Sequence, residues 1–164
     1  MTETPSILVL TEVALSEEDA VRLASVHAGT DAPPPSYHLL VPADVERNLL
    51  ADVLDHLSLF QLRQALDAVR GEDEPTRTEA ADALARSLAA FSRTGVTATG
   101  EVIEGDPVAV LQKQVTADGP TNEVIVVTRP HAVEDTFHTD WASRAREALG
   151  VPVLHVYAGS SFLG

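Results

Sequence analysis

Five short apolar runs, separated by longer stretches of helical spacing, organise this chain. The clearest run, Glu123–Val127, contains four consecutive Val and Ile residues without a polar interruption, which is typical of a strand buried on both faces of a parallel sheet. Four further runs are predicted to be strands of the same sheet: Ser6–Leu10, Tyr37–Val41, Val96–Ile103 and Val153–Tyr157. Because parallel neighbours need a long crossover connection, the stretches between them are expected to hold helices.

The predicted helices begin and end with residues suited to those positions. Ser16 precedes three acidic residues, so it is expected to cap a helix whose first turn carries the negative charge that the helix dipole favours. Asp106 and Pro107 open another helix in the same way, and Gly150 ends the last one. The predicted helical stretches are residues 16–29, 44–70, 79–93, 107–117 and 135–149.

Two of these stretches fall between the second and third strands, where one crossover helix is enough. The acidic segment 71–76 is predicted to be the loop between them. We therefore expect a single domain over residues 1–164, with a helical insertion at about 44–75. The alternation of strands and helices predicts a three-layer, doubly wound α/β fold with a five-stranded parallel sheet. A further hypothesis makes the 44–94 region a docking surface for another protein.

Composition narrows the classes of function. A net charge of −14, from 25 acidic and 11 basic residues, argues against binding to a nucleic-acid backbone and indicates a solvated acidic surface, or an acidic face that recruits a basic partner. The absence of cysteine excludes disulfides and thiolate chemistry. No apolar run approaches the roughly 20 residues of a membrane span, and the first residues lack the basic start of a secretory signal. The expected location is the cytoplasm.

The ends of the first and fourth strands carry the most suggestive polar residues. Ligands of doubly wound sheets bind beyond the carboxyl ends of the strands, where the strand order reverses. Arg129 presents a guanidinium fork to a carboxylate or phosphate there, or it pairs with Glu12 across the crevice, and the sequence leaves both open. The predicted lining of this crevice is Thr11, Glu12, Val41, Thr128, Arg129 and His131.

A metal site and a catalytic site are both disfavoured. His131, Glu134, Asp135 and His138 crowd into one segment, and such side chains bind zinc. The segment lacks an H-E-x-x-H pattern, however, and acids before a helix are ordinary capping chemistry, so Asp135 or Thr136 is expected to cap the helix. No Walker loop, G-x-G-x-x-G or G-x-S-x-G occurs. The sequence thus indicates no metal ligand and no catalytic residue, and it favours a protein that is not an enzyme.

The order of the segments resembles the universal stress protein superfamily. The segments that carry the resemblance are SILVLTE, VIEGDPVAVLQ, EVIVVTR and GVPVLHVYA, and together they cover nearly the whole chain. The resemblance implies the strand order 3-2-1-4-5 and a role in stress response or regulation. It also implies a homodimer formed through the last strand, with edge residues Val153, His155 and Tyr157.

The resemblance also bears on ATP. Members that bind nucleotides carry a Gly-x2-Gly-x9-Gly-Ser/Thr pattern after the fourth strand, whose backbone N–H groups approach the phosphates. Here the pattern falls on Thr128, His131, Trp141 and Ala142, and Glu12 stands where such members carry Asp. Because glycine is what permits the close approach, ATP and AMP are disfavoured, no cofactor is expected and Trp141 is expected to be a packing anchor. The alternative function is a small-molecule or nucleotide binder, or a hydrolase, that uses the crevice.

Overall fold

The fold consists of one parallel sheet with helices on both faces. A computed structural model describes residues 4–29, 31, 33–43, 73–117, 121–129 and 136–159. In chain order the described elements are β1 (Ser6–Thr11), α1 (Glu17–Val26), β2 (Ser36–Pro42), α2 (Asp73–Arg93), β3 (Ala98–Ile103), α3 (Pro107–Ala117), β4 (Thr121–Thr128), α4 (Thr136–Leu149) and β5 (Val153–Tyr157). The five strands lie in the order β3-β2-β1-β4-β5 and every neighbouring pair is parallel. The predicted fold class and strand order are confirmed.

The central strands are apolar on both sides because both sides of the sheet are covered. Alternate residues of a strand point to opposite faces, so Val9 and Ile125 pack with Leu23 of α1 and Phe91 of α2 on one face. Val126, the next residue of β4, packs on the other face with α3 and α4. The second face includes Leu8, Leu10, Leu111, Val124, Trp141, Ala142, Ala145 and Leu149.

The region between β2 and β3 differs from its prediction. Helix α2 begins at Asp73, so most of the predicted acidic loop 71–76 is helical. Pro75 is compatible with this start, because the first N–H groups of a helix have no partner within the helix. The third strand begins two residues later than predicted, since Val96 N–H donates to Phe91 O at 3.3 Å and Val96 still belongs to the turn that follows α2.

The predicted helical stretch 44–70 lies outside the described residues, and with it most of the proposed docking surface on residues 44–94. The helices of the described part, up to the 21 residues of α2, are all too short or too polar to cross a lipid bilayer.

Candidate functional site

The loop after β1 is folded back onto the protein. Thr11 is fully buried, and its hydroxyl donates to Val13 O at 2.8 Å while accepting the N–H of Val13 at 3.3 Å. Two residues further, Leu15 N–H donates to Ser87 Oγ of α2 at 2.9 Å. The Thr11 hydroxyl is therefore engaged in the turn, and the loop is anchored to the neighbouring helix.

Glu12 joins the two strands at which the sheet order reverses. Its carboxylate oxygen Oε1 accepts the backbone N–H of Arg129 at 2.7 Å, and the two residues follow β1 and β4. A hydrogen bond from a backbone N–H to an ionised carboxylate is shorter and stronger than one between two neutral groups. The sequence left open whether Arg129 captures a ligand or pairs with Glu12. The structure links the two residues through the backbone of Arg129.

Behind this bridge lies a buried hydroxyl–imidazole pair. Thr128 and His155 are 1% and 2% exposed, and Thr128 Oγ1 lies 2.9 Å from His155 Nε2. Burial lowers the pKa of His155, the positive charge of Arg146 lowers it further, and Glu12 acts in the opposite direction. A neutral imidazole offers one donor and one acceptor nitrogen, and a hydroxyl can serve as either partner. Sequence reasoning placed His155 on a dimer edge and did not connect it with Thr128.

Asp19 ties the start of α1 to the end of the chain's last strand, a role that sequence reasoning missed. It forms a capping box with Ser16, and its Oδ1 accepts the backbone N–H of Gly159 at 2.9 Å. Burial alone would raise the pKa of Asp19, but hydrogen bonds from Gly159 and Ser16 and the charge of Arg22 lower it overall. The S-x-x-D pattern predicts the cap. It does not predict the bond to Gly159, which is 140 residues away in the sequence.

The other predicted residues are placed as follows. Val41 is 1% exposed and packs with Ala43 and Ala80. Trp141 lies in the second turn of α4, is 6% exposed and packs in the core, as expected of a packing anchor. His131 lies outside the described residues, as do Glu134 and Asp135. Within the described ranges, no group of three or more His, Asp or Glu side chains is arranged to hold a metal ion.

Three hydrogen-bonded links thus lie near the carboxyl ends of the strands: Glu12 to Arg129, Thr128 to His155 and Asp19 to Gly159. An imidazole beside a hydroxyl is the pairing that activates a nucleophile, but at 1% exposure the hydroxyl of Thr128 is closed to a substrate. The three bonds join β1 to β4, β4 to β5, and the start of α1 to the residues after β5.

The class that these features define is a doubly wound α/β protein whose strand ends are joined by hydrogen bonds. The chain is similar to an AMP-bound universal stress protein family protein from Arabidopsis thaliana, with a TM-score of 0.53 and 12% identity over 95% of this chain and 94% of that chain. It is also similar to a hypothetical protein whose biochemical function was assigned from its structure, with a TM-score of 0.50 and 15% identity over 96% of this chain and 98% of that chain. No protein-family model and no curated protein matches the sequence. The chain has the fold of universal stress protein structures.

Proposed function

We propose that the chain is a non-enzymatic stress-response or regulatory protein of the universal stress protein type, from the branch that does not bind ATP in the strand-end crevice. The observation that carries the proposal is the position of Trp141. Its side chain is packed in the core, at the place to which the nucleotide-binding pattern assigns its third glycine. Any residue other than glycine adds a Cβ atom beside the backbone that the phosphates approach in nucleotide-binding members.

The hydrogen bond between Glu12 and Arg129 supports the same proposal. A nucleotide entering between β1 and β4 would have to displace the bond of 2.7 Å between Glu12 and the backbone of Arg129. The AMP-bound Arabidopsis protein has the same fold, so we attribute the proposed difference in nucleotide binding to the side chains.

A titration with nucleotides tests the proposal. The melting temperature of the protein is measured against magnesium ATP, ADP and AMP, with the AMP-bound Arabidopsis protein as the positive control. A ligand that binds the folded state at 100 times its Kd raises the free energy of unfolding by about 2.7 kcal/mol. We expect no saturable shift for this chain. A saturable shift with any of the three nucleotides would overturn the proposal.

The contact between Thr128 and His155 favours a second candidate, a small-molecule binder or hydrolase that works after the crevice opens. Inorganic phosphate, added to the same panel, is the probe for this candidate. Stabilisation by phosphate that Arg129→Ala abolishes would favour it, because Arg129 is the exposed cation beside the crevice. Phosphate without effect on the wild-type protein would remove it.

We also propose a cytoplasmic homodimer formed through β5. Strand β5 is the last in the sheet order, and an uncovered edge strand tends to pair with another chain. Val124 N–H donates to Pro152 O, and Ala158 N–H donates to Thr128 O. Because the hydrogen-bonding direction alternates along a strand, the backbone groups of Val153, His155 and Tyr157 point away from β4. These are the residues predicted for the dimer edge.

A further inference from the structure

A cavity lies at the end of the sheet opposite to the crevice. Strands of about six residues span roughly 20 Å, so the amino ends and the carboxyl ends of β1, β2 and β4 are well separated. The cavity has a volume of about 500 Å³ and lies between the end of α1, the segment before β2 and the connection from α2 to β3. Its lining includes Ala24, His27, Pro35, Tyr37, Val96 and Thr97.

A chain of hydrogen bonds holds the polar part of this cavity in place. His27 Nε2 lies 2.7 Å from Glu123 Oε2, and His27 Nδ1 lies 3.2 Å from the hydroxyl of Tyr37. That hydroxyl also donates to Leu23 O at 3.2 Å. The groups come from α1, β2 and β4 and are brought together only by the fold. Their positions are therefore set before any ligand enters, which lowers the entropic cost of binding.

The charges around the cavity select against anions. The end of α1 presents carbonyl groups, the negative end of a helix dipole, and the Glu123 carboxylate lies behind His27. None of the lining residues that the structure describes is Lys or Arg. Burial, together with the charge of Glu123, raises the pKa of Tyr37 to about 12, so its hydroxyl is uncharged at neutral pH.

The remaining lining is mostly apolar or small. Ala24, Pro35 and Val96 are half-buried and form part of the wall, and Thr97 adds a residue with a hydroxyl group. Pockets for small molecules typically have volumes of about 300–1,000 Å³ and combine apolar walls with a few placed polar groups. The cavity fits this description in its size and its chemistry.

We propose that this cavity binds a small uncharged molecule that has an apolar body and a hydroxyl group. The apolar body lies against Ala24, Pro35 and Val96, and the hydroxyl group meets the rim of the cavity at the half-buried His27 and the exposed Thr97. This site is independent of the strand-end crevice, so its failure or success leaves the question of ATP untouched.

The test uses benzyl alcohol as the probe and benzoate as its matched anion, because the two molecules share a ring and differ in the polar group. Backbone amide signals of the full chain are followed by NMR during each titration. We expect saturable shifts from benzyl alcohol at residues 24–28, 36–37 and 96–97, and binding of benzoate weaker by at least about tenfold, which corresponds to about 1.4 kcal/mol. Equal binding of the two probes, shifts confined to other residues, or no saturable shift up to about 10 mM, ten times a millimolar Kd, would overturn the proposal.

Two variants of helix α1 locate the site. Ala24→Phe fills the cavity, whereas Val21→Phe places the same ring on the exposed side of the helix, where Val21 is 53% exposed. We expect the Kd for benzyl alcohol to rise by at least about tenfold in Ala24→Phe and to change by less than about twofold in Val21→Phe. Thr97→Phe, which fills the cavity from the opposite wall, replaces Ala24→Phe if that variant does not fold. An unchanged Kd in the folded cavity-filling variant would contradict the assignment.

Discussion

The imidazole of His155 takes its properties from neighbours that are distant along the chain. Thr128 is 2.9 Å from its Nε2, Arg146 repels a proton on the ring and Glu12 attracts one. Burial is the largest of these influences and lowers the pKa of His155. Nothing in the segment VLHVY distinguishes this histidine from one on an exposed edge strand, so its neutral state is a property of the folded protein.

The lowered pKa of His155 predicts that the stability of the protein depends on pH. A histidine in the unfolded chain titrates near pH 6.5, whereas folded His155 takes up its proton only at lower pH. As the pH falls below about 6.5 the unfolded state therefore binds more protons than the folded state, and the free energy of unfolding decreases. Urea denaturation at a series of pH values between 7 and 5 measures this slope. We expect a smaller slope in His155→Gln, which keeps a hydrogen-bonding group near Thr128.

Thr128→Val is the control for that experiment. It removes the hydroxyl group without removing the titrating ring, so it lowers stability at every pH, by about 1–3 kcal/mol for a buried polar group left unpaired, and leaves the slope in place. Equal slopes in the wild-type protein and His155→Gln would contradict the role assigned to His155.

Among the elements, β3 shows how closely a helix approaches the sheet. Gly100 pairs directly with Leu39 of β2, and Leu84 of α2 lies over it. A Cβ atom at position 100 would lie 2.6 Å from Leu84 Cδ1 and 2.8 Å from Leu39 O. In a sequence, a glycine inside a strand is equally compatible with a bulge or a bend. The structure gives the glycine a different role, because it leaves room for α2 and for the neighbouring strand.

We therefore expect Gly100→Ala to destabilise the protein by about 1–3 kcal/mol, the usual effect of overpacking. The flexible end of Leu84 can move aside, but the carbonyl group of Leu39 moves only if the pairing of β2 with β3 shifts. The free energy of unfolding in urea measures the effect. Thr99→Ser, on the exposed side of the same strand, retains the hydroxyl group that contacts His38 and should stay within about 0.5 kcal/mol of the wild type. Equal stability of Gly100→Ala and Thr99→Ser would show that the strand adjusts freely.

At the scale of the whole molecule, the proposed property is assembly into a dimer through β5. One of its outward carbonyl groups, Val153 O, accepts a bond from Arg146 Nε at 3.3 Å. A charged side chain that covers the backbone of an edge strand, as Arg146 of α4 does here, opposes pairing with another chain. Because Arg146 already opposes pairing, one further positive charge on β5 is expected to prevent the pairing of two chains.

On this basis we expect the wild-type protein to have twice the 17.4 kDa mass of the chain in light scattering, and Val153→Lys to be a monomer. Val151→Lys is the matched control, because Val151 is also half-buried and packs on the same core cluster but precedes the strand. It should remain a dimer. A wild-type monomer, or a dimer of Val153→Lys, would exclude the interface through β5.

The arrangement of the sheet was largely predictable from the sequence, whereas the crevice was not. An unbroken apolar run such as Val124–Val127 requires cover on both faces, and that requirement predicts a parallel sheet with two helical layers. Patterns of this kind are local, so they also located Ser16 as a cap. The start of α2 was misplaced, because an acidic segment with a proline is equally typical of a loop and of a first helical turn.

Local patterns were enough to predict the type and order of the described elements, and the resemblance of that order predicted the arrangement of the strands. These depend on periodicity and on capping residues, which are properties of neighbours along the chain. Which polar groups meet became visible in the folded chain alone: Glu12 with Arg129, Thr128 with His155, and His27 with Glu123 and Tyr37. The partners in these pairs are 10 to 117 positions apart in the sequence. A hydrogen bond depends on distance in space, which no local pattern encodes.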